Sequence, residues 1–135
     1  MFGLDLVAIG AGLGAAIILS GLVGLVLGAA IAADSQAANE TELEAQFRAQ
    51  MHKPALLAQL AILSLLIALL SGAITAWFAP GAPYLNTTIV GAISTLASLI
   101  LPSPGFPPLA RWLLSLANLP ATLAGAWAFV HFAAP

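Results

Sequence analysis

The chain has 135 residues, of which 61% are apolar and 6% charged, and its mean hydropathy is +1.07. Too little polar surface exists to coat a water-soluble domain, so the composition points to an all-α polytopic integral membrane protein whose first partner is the lipid bilayer. A formal net charge of −2 offers nothing to the phosphates of a nucleic acid, and the absence of cysteine excludes disulfides, thiolate metal sites and thiol catalysis.

Residues 6–33 form the first long apolar run. It ends in Ala30-Ile31-Ala32, which has the form of a small-residue cleavage site. However, no Lys or Arg precedes the run, and it is about twice the length of a signal peptide's apolar core, so a retained span is expected. Within it Gly10, Gly14, Ile17, Gly21, Gly24 and Gly28 follow at spacings of 4, 3, 4, 3 and 4, a continuous stripe down one side of a helix. Lipid supplies no hydrophobic drive between helices; close backbone approach and dispersion must hold them, and glycine permits both. The stripe suits either of two partners: the other helices of the same chain, or first helices of further copies around an oligomer axis.

The segment 34–53 is the polar part of the chain. It contains Asp34, Glu40, Glu42, Glu44, Arg48 and Lys53, leaving only Asp5 and Arg111 charged elsewhere. Asn39 is placed to cap a helix whose third residue is Glu42, with Glu40, Glu42 and Glu44 near its positive end. Leu43, Phe47 and Met51 then share one apolar stripe. An amphipathic cytoplasmic helix at the membrane interface is expected, with Pro54 in the first turn of the span that follows.

Spans at about 55–79, 85–101 and 109–132 come next, separated by Pro80-Gly81-Ala82-Pro83 and by the proline-rich stretch from Pro102 to Pro108, where missing N–H groups and fixed φ prevent helix continuation. A crossing of a ~30 Å hydrocarbon core takes about 20 helical residues, so the expected fold is a four-transmembrane-helix bundle forming one membrane domain over 1–135. An even number of spans puts both termini on one side. Loops one and three carry Arg48, Lys53 and Arg111, every Lys and Arg of the chain, which places those loops in the cytoplasm and both termini on the non-cytoplasmic side. Trp77, Tyr84, Trp112 and Trp127 fall near span ends, as aromatic belts require.

Chemistry is sparse. Ser and Thr in membrane helices commonly bond their own backbone. Gln59 and Asn118 are more expensive to bury and are expected at helix-packing contacts together with the stripe of Gly10, Gly14, Gly21, Gly24 and Gly28. Asp5 and His131 are at the ends of spans and not at the membrane depth where an ion-coupled transporter would need a carboxylate or His, and the scattered Ser and Thr do not make the continuous polar row of a pore. His52 and His131 do not compose a metal site by themselves. No catalytic residue and no metal ligand is assigned.

Two family resemblances bear on function. Glu44, Arg48-Ala49 and His52, between the first and second of four spans, resemble the motif of the membrane-associated proteins in eicosanoid and glutathione metabolism (the MAPEG family), where Glu is followed by Arg-Ala four residues on, Asn eight on and Glu eleven on. His52 stands here in place of the Asn, and Ala55 in place of the second Glu. The resemblance implies a homotrimer of four-helix subunits with Glu44, Arg48 and His52 in a glutathione site between subunits. Arg and Tyr residues that complete that family's site around the third and fourth helices have no counterpart near Ala97 to Leu101. The first 79 residues also look like a rotor-ring proteolipid of an ATP synthase, with Gln59 where that family has its ion-binding carboxylate. The expectation is a structural or assembly subunit of a homo-oligomer or larger membrane complex, with no cofactor and with enzymatic activity left open. The alternative is a MAPEG-like membrane glutathione transferase acting on a lipophilic substrate.

Overall fold

Proline opens three of the five helices, at the position where its missing N–H costs no helix bond. The structure, a computed structural model, describes residues 3–36, 38–101 and 106–133. Its helices are α1 (Leu6–Asp34), α2 (Glu40–Met51), α3 (Pro54–Phe78), α4 (Pro83–Ile100) and α5 (Pro108–Phe132). The fold is all-α, and α1, α3, α4 and α5 are long and apolar enough to cross a membrane, making this an integral membrane protein. Each lies within two residues of the span expected from hydropathy. Of the proline-rich third loop, Pro102 to Gly105 lie outside the described residues.

Local caps explain several helix starts. Asp5 caps α1, its carboxylate accepting from the N–H groups of Val7 and Ala8 at 2.9 and 3.1 Å. Asn39 caps α2, its side chain accepting from the Glu42 N–H at 2.9 Å, while Glu42 reaches back to the Ala38 N–H at 2.9 Å. The polar loop is thus helical for the reason its sequence suggests. Its stripe is also turned inward, with Met51 buried and Leu43 and Phe47 half-buried.

The spans run alternately up and down, so α3 and α5 are parallel and make the most extensive contact, while α1 packs on α3 and, less, on α4. The interior is made of small and hydroxylated residues, because large apolar side chains have lipid to face. Ala8, Gly12, Ser71, Gly72, Thr75, Ala76, Val90, Gly91, Thr122, Gly125 and Ala126 are all buried, and most of the large apolar residues of the spans are exposed. Backbones touch at four glycines. A Cβ on Gly72 would lie 1.8 Å from the Thr122 carbonyl oxygen, and one on Gly125 would lie 1.8 Å from that of Leu69. Gly12 meets Thr75 and Ser71, and Gly91 meets Leu119. Pro120 stands inside α5, where it removes one helix hydrogen bond.

At the end of the bundle that holds the N-terminus, the backbone N–H of Asp5 donates to Oδ1 of Asn86 at 2.8 Å, and Nδ2 of Asn86 donates to the Ala82 carbonyl at 3.0 Å. Ser71 Oγ, fully buried, donates to the Gly12 carbonyl at 2.8 Å. These bonds tie α1, α3 and α4 together in the half of the bundle nearest the termini. The other half is less tightly closed.

Candidate functional site

An open hollow of about 580 Å³ lies at the terminal end, between the start of α1 and the loop from Ala79 to Ala82, and the cavities enclosed among the spans lie in the other half. Two adjoining ones, of about 220 and 380 Å³, share Ser20, Ser64, Ile67, Ser98 and Asn118 and form a cleft among α1, α3, α4 and α5. Ser115 and Arg111 line the first cavity, and Ser71 and Ser94 the second. A third, apolar cavity between α1 and α3 adjoins through Val23, Leu60 and Leu63, and Gln59 lies on its wall.

The cleft follows from helical spacing. Arg111, Ser115, Asn118 and Thr122 succeed one another at intervals of 4, 3 and 4 and so occupy one face of α5. Thr122 is buried at the helix crossing and donates to the Asn118 carbonyl at 2.6 Å. Arg111 sits in the first turn, where Nη2 donates to the carbonyls of Leu99 and, at 3.1 Å, Leu101. Its guanidinium therefore covers the carbonyl end of α4, where a cation is favoured. At about 1.5 Å rise per residue, Asn118 lies about 10 Å further along α5. Ser20 is at the centre of α1, and Ser64 and Asn118 are each two residues from the centres of α3 and α5, so polar groups meet deep in the span.

Among the described residues, the side chains of Ser20, Ser64, Ser115 and Asn118 make no hydrogen bond to protein. Ser98 donates to the Thr95 carbonyl at 2.8 Å. Arg111 is the one charged residue on the walls of this cleft.

The residues singled out from sequence lie elsewhere, apart from Asn118. Glu44 and Arg48 are paired on α2, Nη2 to Oε1 at 2.7 Å, with both side chains mostly in solvent. With Thr41 and Ala45 they line a shallow hollow. His52 follows on the same helix as its exposed C-cap. The glycine stripe is turned away from the rest of the chain: a Cβ at Gly10, Gly14, Gly21, Gly24 or Gly28 would meet nothing within 4 Å. The glycines that do make intramolecular contacts are Gly12, Gly72, Gly91 and Gly125. Gly10 and Gly12 differ by two positions, which is about 200° around a helix; α1 therefore carries the stripe on the side opposite its packing face.

Sequence reading missed the convergence on the cleft because each serine looks ordinary alone. The available signal was the Arg111, Ser115, Asn118, Thr122 register, which has the same seven-residue repeat as the glycine stripe. No protein-family model, curated protein or solved structure matches the chain.

Proposed function

We propose that the protein is a structural or assembly subunit that forms a homo-oligomer, or joins a larger membrane complex, through the glycine face of α1. The observation that carries this reading is the open space over Gly10, Gly14, Gly21, Gly24 and Gly28. Glycine on a lipid-facing surface contributes few dispersion contacts and raises the cost of the helix by about 1 kcal/mol per residue relative to alanine. Against a second backbone the same residues allow the close approach that holds membrane helices together. Of the four spans, α1 has the least buried hydrophobic stretch, so most of its surface is free for a partner.

Loops one and three are placed in the cytoplasm, with both termini on the opposite side, because Arg48, Lys53 and Arg111 all lie in or beside those loops. Cross-linking and native mass spectrometry of Gly21→Leu and Gly24→Leu test the assembly reading. Both are expected to lose the oligomer, with Leu22→Ile retaining it; equal oligomer yield in all three refutes it. A second reading, a glutathione transferase, is favoured by the exposed Glu44 and Arg48 on one face of α2, where a neighbouring subunit has access to them.

A further inference from the structure

We infer that the cleft among α1, α3, α4 and α5 is a hydrated binding site for an oxyanion, a phosphate or carboxylate, held at Arg111 and reached by the donors of Ser115 and Asn118. The inference does not rest on the assembly reading: Arg111, Ser115 and Asn118 are on α5, while the stripe is on α1 and meets the cleft only through Ile17.

Three observations carry it. First, the side chains of Ser115, buried, and Asn118, half-buried, open into one space with Ser20 and Ser64 exposed at its rim, and none of the four has a protein partner among the described residues. A polar group left without a hydrogen bond in hydrocarbon is costly, so an acyl chain is the wrong filling. A water takes about 30 Å³ of liquid volume, and cavities of about 220 and 380 Å³ have room for several waters together with a small polar group.

Second, the charge in the cleft is one-sided. Arg111 faces no carboxylate there; Asp5 is at the opposite end of the bundle and the remaining acids are on the first loop or the end of α1. Arg111 thus stands half-buried at the loop end of the cleft as a cation without an acidic partner. Third, Arg111 has donors to spare. Only Nη2 is engaged, on the carbonyls of Leu99 and Leu101, and a guanidinium carries five N–H groups in a planar fork suited to phosphate or carboxylate. Its anchoring to the Leu99 and Leu101 carbonyls holds the guanidinium at the cleft wall, so the site is pre-positioned. Hydroxyls and the Asn118 amide supply neutral donors further in, giving a donor-rich pocket without an acidic group to repel the ligand.

The anion could be the headgroup of a membrane lipid or a free ion, and the absence of cysteine in the chain makes the two separable. Ser115→Cys is introduced as the reporter, and Leu116→Cys, next to it and exposed to lipid, as the control. Both are treated with a sulfonate-bearing and a trimethylammonium-bearing methanethiosulfonate, in bilayers of phosphatidylcholine. The cleft thiol is expected to react with both reagents and the control with neither. The anionic reagent is expected to be faster by about tenfold or more, as in clefts of one charge sign. Arg111→Gln removes that preference and Arg111→Lys retains it; should Arg111→Gln fail to fold, the reagent preference in Ser115→Cys alone decides.

Slowing of the reaction by inorganic phosphate in phosphatidylcholine identifies a free anion. Slowing only when phosphatidylglycerol is present identifies a lipid headgroup. An unreactive cleft thiol, equal rates for the two reagents, or protection by neither phosphate nor phosphatidylglycerol overturns the inference.

Discussion

Replacing Gly72 by alanine puts a methyl group into the crossing of α3 and α5. The added carbon would stand 1.8 Å from the Thr122 carbonyl oxygen and 2.7 Å from its carbonyl carbon, whereas a close C···O contact is about 3.3 Å. The helices must separate by about 1.5 Å, and a gap of only 0.5–1 Å already forfeits about a quarter to a half of the dispersion between facing atoms. Overpacking of this kind costs about 1–3 kcal/mol and falls here at the upper end, because backbone rather than a mobile side chain is in the way. Alanine returns about 1 kcal/mol of helix propensity, leaving a net loss of about 2 kcal/mol. Gly125→Ala, which strikes the Leu69 carbonyl at the same 1.8 Å, should behave alike. Gly10→Ala, entering open space, should gain up to about 1 kcal/mol in the detergent-solubilised monomer. Thermal unfolding followed by tryptophan fluorescence reads all three, with Trp77 on α3 and Trp112 and Trp127 on α5 as reporters. Melting of Gly72→Ala and Gly125→Ala at the temperature of the parent protein would refute the close crossing.

Cysteines at Ser35 and at Gly81, introduced singly, should label from opposite sides of the membrane in oriented vesicles; labelling of both from one side contradicts the alternating topology. Asn86→Leu removes the acceptor of the Asp5 N–H and should cost about 1–3 kcal/mol in detergent unfolding, with no loss meaning that water takes its place. Arg48→Ala breaks an exposed i,i+4 pair and should change stability by no more than about 0.5 kcal/mol. Calorimetry at millimolar glutathione should show no binding, since Ala55 replaces the second Glu of the motif; saturable binding abolished by Arg48→Ala would promote the transferase reading.

The spans, the α2 cap and the inward stripe of Leu43, Phe47 and Met51 were legible because each depends on neighbours in sequence: hydropathy over about 20 residues, a side chain three positions from the N–H it bonds, a repeat of three and four. The packing glycines were not. Gly12, Gly72, Gly91 and Gly125 recur in no stripe of their own, and each is explained by a carbonyl or side chain on another helix. The conspicuous stripe on α1 draws attention because it is regular, yet its regularity reports only that one face is smooth; which body lies against that face is a tertiary question. Asn118 shows the same limit. Its cost of burial marks it as needing a partner, and that partner is a shared cleft whose walls come from three other helices.

The two sets of glycine and the cleft fit one division of labour along the bundle. Where α1, α3, α4 and α5 approach through Gly12, Gly72, Gly91 and Gly125, backbones are in contact and the buried hydroxyl of Ser71 is satisfied by the Gly12 carbonyl. Toward the first and third loops no such glycine contact exists among the described residues, side chains rather than backbones set the spacing, and the polar groups of Ser20, Ser64, Ser115 and Asn118 are left facing a cavity. Meanwhile the glycines of α1 from Gly10 to Gly28 run past both halves on the outside. A partner helix lying along them would brace the clamped and the splayed ends together.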